Sequence, residues 1–115
     1  MAKYERRLEG DFYELLNWIH HDITSGSLSA SYEDGSDYTM GSVKVAVRVY
    51  ERYSMLGKNR VSLNVTIVGD RPKLFISAIT SGGSQAVFFK INTFGESSFL
   101  DLCARSVENY ISHRR

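Results

Sequence analysis

His20, His21 and Asp22 are the densest group of potential metal ligands in the chain. Their spacing works against chelation, because adjacent residues on a helix point about 100° apart and the two imidazoles diverge. Helical zinc motifs place their ligands at i and i+4 for this reason. A histidine pair near a helix C-terminus instead suits the helix dipole and a surface role. Glu33, Asp34 and Asp37 surround Gly35. An EF-hand loop needs acidic ligands at alternating positions and a closing glutamate, and this stretch lacks that spacing. No metal site and no cofactor are expected.

Gly82-Gly83-Ser84 could form a nest of backbone N–H groups for an anion, although no lysine at Walker-type spacing accompanies it. Lys44, Arg48 and Arg52 share one side of an extended segment with Tyr50, and Arg60 opens the next segment. Basic groups interleaved with an aromatic can hold single-stranded nucleic acid by phosphate contact and stacking. A solvated sheet face carrying Lys and Arg is the plainer interpretation. Cys103, the only cysteine, lies four residues after Phe99 on an apolar helical face, with no neighbouring His or Asp to activate it. The serines form no nucleophile elbow. No catalytic constellation emerges. Met55-Leu56 are apolar at a predicted loop tip, and Trp18 lies off the centre of its helical stripe. Either could touch a partner.

Two stripes must position these groups. Val43, Val45, Val47 and Val49 occupy every second position, as do Val61, Leu63, Val65 and Ile67. Successive side chains of a strand point to opposite faces, so each stripe lies on one side. The expectation is an antiparallel hairpin whose dry face carries both stripes. Lys44, Arg48 and Tyr50 would then lie on the wet face with Ser62, Asn64 and Thr66. Upstream, Asp11 and Glu14 resemble a capping box. Phe12, Leu15, Leu16, Ile19 and Ile23 form one stripe of a helix over 11–24, ended by Ser25-Gly26. Leu28, Ala30 and Tyr32 predict a strand, and Asp34-Gly35 a turn. The next strand begins near Tyr38, with Gly41 as a bulge, and runs to about Tyr53. Strands over 60–68 and 73–80 flank a tight turn at Gly69-Asp70-Arg71-Pro72.

Val87, Phe89 and Ile91 alternate with Phe88, Lys90 and Asn92 and predict a last strand, with a helix over 84–91 as the alternative. Phe99, Leu102, Cys103, Val107, Tyr110 and Ile111 then form a helical face to about residue 112, with Ser98 and Asp101 capping its start. Residues 3–9 could add an edge strand, with Tyr4, Arg6 and Leu8 on one side. The sum is a single α+β domain over 1–115, in the order (β)-α-β-β-β-β-β-α. It is a two-layer antiparallel meander of five strands, six with the edge strand. The N-terminal helix and the long C-terminal helix pack on one face, because the sheet offers the only large dry surface.

The chain has 115 residues, with 14 Lys plus Arg against 13 Asp plus Glu. A net charge of +1 argues against a generic polyanion binder. One cysteine excludes an internal disulfide. The charged N-terminus has no apolar segment after it, and no stretch approaches the roughly 20 apolar residues of a membrane span. A cytoplasmic protein without membrane contact is the simplest expectation.

The runs Ser77–Glu96, Glu33–Asp37 and Val47–Tyr53 resemble a family of short bacterial proteins classed as a domain of unknown function. That resemblance spans nearly the whole chain and implies a stand-alone small protein, without supplying an activity. The element order is also similar, at the level of fold, to helix-grip proteins, in which a long C-terminal helix closes a curved sheet over a ligand cavity. The leading expectation is a non-catalytic module that binds a small apolar or amphipathic ligand beneath the last helix. Phe75, Phe88, Phe89, Phe99 and Tyr110 would form its wall. The alternative is a homo-oligomeric structural or interaction protein, such as a homodimer through a sheet face or edge. A nucleic-acid-binding sheet face ranks below both, and an enzyme has no visible acid–base pair.

Overall fold

A computed structural model describes residues 1–26, 30–54, 59–82 and 89–114. Seven elements follow in the order β1 (Ala2–Glu9), α1 (Phe12–Gly26), β2 (Ala30–Met40), β3 (Val43–Ser54), β4 (Asn59–Asp70), β5 (Lys73–Gly82) and α2 (Phe89–Arg114). The five strands form one antiparallel sheet in the order β1-β5-β4-β3-β2. The four later strands are a meander, and β1 closes the far edge against β5, pairing Ala2 with Thr80 and Leu8 with Leu74. The α+β class, the five-stranded antiparallel sheet and the two terminal helices agree with the sequence.

The strand expected at 87–92 is a correction. Residues 89–92 are the first turn of α2, and 83–88 lie outside the described residues. The reason lies in the sheet. β5 has β4 on one side and β1 on the other, so no edge remains beside it for a sixth meander strand. α2 therefore runs 26 residues and passes through Gly95, whose cost inside a helix is only about 1 kcal/mol.

The Asp34-Gly35 turn is a second correction. β2 continues through both residues, with a bulge between Tyr32 and Asp34. The chain reverses instead at Gly41-Ser42, where Gly41 takes φ of 59°. Gly35 has a different task. A Cβ there would lie 2.5 Å from the Tyr32 hydroxyl and 2.9 Å from both Arg48 Cδ and the Val47 carbonyl oxygen. The Arg71-Pro72 turn stands where expected, with a cis peptide bond.

The third correction concerns the valine stripe. Directly paired residues share a face, and β3 pairs Ala46 with Ile67, Arg48 with Val65, Tyr50 with Leu63 and Arg52 with Val61. The β4 stripe is fully buried under the helices, together with Leu74, Ile76, Ala78 and Thr80 of β5. Ala46 and Tyr50, at 0% and 1% exposure, complete that side on β3. Val43, Val45, Val47 and Val49 consequently lie on the opposite face, half-buried beside Asn64, Thr66 and Val68. No helix of the described residues covers that face.

α1 starts as expected. The Asp11 carboxylate accepts the Glu14 N–H at 3.0 Å, and Leu15, Leu16, Ile19 and Ile23 are buried. α2 packs on β1, β4, β5 and α1. It buries Phe99, Cys103, Val107 and Tyr110.

The face assignment is testable by urea unfolding. Leu63→Ala should lower the unfolding free energy by about 2–5 kcal/mol. Val47→Thr, on the face that no described helix covers, should cost clearly less than Leu63→Ala. Equal costs would contradict the assignment.

Candidate functional site: the groove between the two helices

The basic stripe lies on the helix side of the sheet, and this corrects its expected solvated setting. Arg48 is 16% exposed, pairs with Asp37 at 3.0 Å and donates to its neighbour's carbonyl, Val47 O, at 2.9 Å. The Arg52 guanidinium lies 4.9 Å from the Phe99 ring centroid, and burial lowers its pKa. The Lys44 ammonium lies 5.9 Å from the Tyr13 ring. Tyr50 is buried, and that burial pushes its hydroxyl well above the usual tyrosine range. The Tyr50 hydroxyl and His20 Nδ1 share a hydrogen bond at 2.8 Å. Tyr32 packs against both rings. These groups knit α1 to the β2–β3 edge and present no open array of cations.

Among the described residues, the expected aromatic wall is only partly brought to one face. Phe75 pairs with Val68 and so lies on the face away from the helices. Phe99 and Tyr110 are both buried, but they stand about 16 Å apart along α2 at 1.5 Å per residue. Phe89 is the first residue of α2, and Phe88 lies outside the described residues. Phe99, Cys103, Val107 and Tyr110 belong to the buried core beneath α2. Gly82 ends β5 with φ of 98°, whereas Gly83, Ser84, Met55 and Leu56 lie outside the described residues. Burial pushes the Cys103 thiol up to about 12, so it stays protonated near neutral pH. Among the described residues, no group of three or more His, Cys, Asp or Glu could hold a metal.

What the tertiary structure does bring together is a groove of about 550 Å³ between α1 and α2. α1 supplies Glu14, Asn17, Trp18, His21 and Asp22, and α2 supplies Tyr110, His113 and Arg114. Both sets follow helical i, i+3, i+4 spacing and form one stripe on each helix. The floor is locked from behind. Trp18 Nε1 donates to the Ser106 carbonyl at 3.0 Å, and Ser106 Oγ donates to Asp22 at 2.6 Å. Trp18 meets the Tyr110 ring edge-on at 5.6 Å and the His113 ring at 5.1 Å. At one end the Tyr110 hydroxyl donates to Glu14 at 3.1 Å, and Arg114 pairs with the same carboxylate at 3.0 Å.

Of the residues singled out from sequence, Trp18, His21, Asp22 and Tyr110 reach this groove. His20 turns the other way, to Tyr50, as the angle between adjacent helical residues requires. Glu14, Asn17, His113 and Arg114 escaped notice as groove residues. The signal was present as a second, polar stripe on α1 beside the apolar one. Its facing stripe on α2 was set by packing.

The fold is thus a two-layer α+β arrangement with a helix-lined groove on one side and, on the other, a sheet face that no described helix covers. The sequence matches a family of unknown function (DUF6054) over residues 1–111, and the chain belongs to that family. No curated protein matches the sequence. No helix among the described residues is long and apolar enough to cross a membrane.

The environment of Cys103 has a direct readout. In the native protein at about pH 8 the thiol should resist alkylation, and in denaturant it should react at the rate of a free cysteine. Rapid native alkylation would contradict its burial.

Proposed function

We propose that this protein is a non-catalytic binding module that takes a small amphipathic amine in the α1–α2 groove. The observation that carries this reading is the Trp18–Ser106–Asp22 arrangement. An indole and a carboxylate are held side by side by hydrogen bonds made beneath the groove. Both side chains are half-buried, so each is fixed without being sealed off. A groove of about 550 Å³ falls within the usual range for small-molecule sites.

The sign of the head group follows from the lining. Glu14 and Asp22 bring two negative charges and Arg114 one positive charge. The carboxylates of the lining outnumber its guanidinium by one. Arg114 is committed to Glu14, which leaves Asp22 to face a ligand. A protonated amine gains from Asp22 by a charge-assisted hydrogen bond and from the Trp18 ring by cation–π attraction. Its apolar body would lie against Trp18 and Tyr110. Fixed partners on the protein side lower the ordering cost of binding.

Trp18 is the only tryptophan, so its emission reports the groove directly. Titration with phenethylamine and with an alkylamine such as hexylamine should change that emission saturably. The matched carboxylic acids should bind more weakly. Asp22→Asn keeps an acceptor for Ser106 but removes the charge, and should weaken amine binding about tenfold, or about 1.4 kcal/mol. Equal binding of amines and acids, or affinity untouched by Asp22→Asn, would overturn the reading.

A further inference from the structure

The face of the sheet away from the helices has the makings of a protein interface. One row across four strands reads Tyr38, Val45, Val68 and Phe75, each directly paired with the next. Val47 and Val49 extend the apolar area on β3. Tyr38 is 60% exposed and its neighbour on the same face, Met40, 65%. A depression in this face is floored by Val68 and Phe75 and rimmed by Arg7, Glu9, Asp70 and Lys73. Apolar centres with polar rims are the anatomy of protein interfaces.

The charges indicate the occupant. On β1 the residues of this face are Lys3, Glu5, Arg7 and Glu9, all exposed, and they alternate in sign. A two-fold contact is isologous, so residue i meets residue j while j meets i. An alternating stripe of this kind is complementary to its own copy running antiparallel, with Lys3 against Glu9 and Glu5 against Arg7. We infer that the open face docks a second copy of this chain, through a two-fold axis crossing the strands between the Val45 and Val47 rows.

The same axis sets Val45 against Val47 and Val43 against Val49 of the copy. It faces Asp34 with Met40, Asp70 with Asn64 and Lys73 with Ile79, so no like charges meet. Aligned sheet packing rotates the two layers by up to about 30°, which shifts the outer strands by as much as roughly 5–6 Å, an offset that the long Lys, Glu and Arg side chains of β1 can bridge. The area is sufficient. Five strands at about 4.8 Å spacing and about 30 Å long present roughly 700 Å² per copy. Two copies then bury about 1,400 Å², the size of a standard specific interface. Burial in a dimer also gives the valine stripe of β3 the dry surroundings that its composition calls for.

Sedimentation equilibrium of the full chain at about 100 µM tests this. The expected mass is twice the 13.0 kDa of the chain. Val47→Glu should give a folded monomer by circular dichroism. Glu5→Arg and Arg7→Glu should each raise the dimer Kd about tenfold or more, because like charges then face across the axis. The double variant Glu5→Arg/Arg7→Glu should recover the dimer. A monomeric wild type, a dimer that survives Val47→Glu, or a double variant as weak as the single ones would overturn the inference. None of these readouts involves the α1–α2 groove, so its ligand reading stands or falls separately.

Discussion

The register between β3 and β4 governs the rest of this molecule. Once Tyr50 stands opposite Leu63 and Ala46 opposite Ile67, every side chain of β3 is assigned to a face. A slip by one residue would exchange the two sets. In the observed register a small residue and a tyrosine meet the helices, and the arginines flank them. Their aliphatic stems tolerate the edge of the core while their charged groups find Asp37 and the Phe99 ring. The valines are left for the other side.

With the described helices on only one side, the sheet has two surfaces with different demands. On the covered side α1 and α2 lie against each other and seal the β4 and β5 stripes. Their junction is held by directional bonds as well as apolar packing. Tyr110 accepts the Asp11 N–H at 3.1 Å and donates to Glu14, and buried Ser106 joins α2 to Asp22. β1 is tied to α2 in the same way, since Tyr4 and Arg6 both reach Glu108. These links span about a hundred residues of sequence and join the N-terminal third of the chain to its last helix. The groove is a by-product of that junction. The side chains that hold the helices together also fix its floor.

Helix α1, the part of α2 from about Ser98 onward and most strand spans were legible because their signals are local. The Asp11 cap, the apolar spacing of α1 and the alternation in β4 and β5 each act within one element. The misplaced features required information from elsewhere. Residues 87–92 alternate in a manner compatible with a strand, but β1 already occupies the edge that such a strand needs. Asp34-Gly35 is a good turn pair, yet the pairing of β2 with β3 runs through it, and Gly35 is favoured by the close approach of the Val47 carbonyl oxygen. The groove was half legible. Trp18, His21 and Asp22 stood out by type, whereas His113 and Arg114 became relevant only when α2 was laid alongside α1.

Periodicity in the sequence was enough to determine which residues share a side of each strand or helix, because backbone geometry alone sets those repeats. Which side faces the core was decided by tertiary pairing, because a period of two is the same viewed from either face. The choice follows from the burial of β4 beneath the helices and from the hydrogen-bonded register that carries that choice to β3.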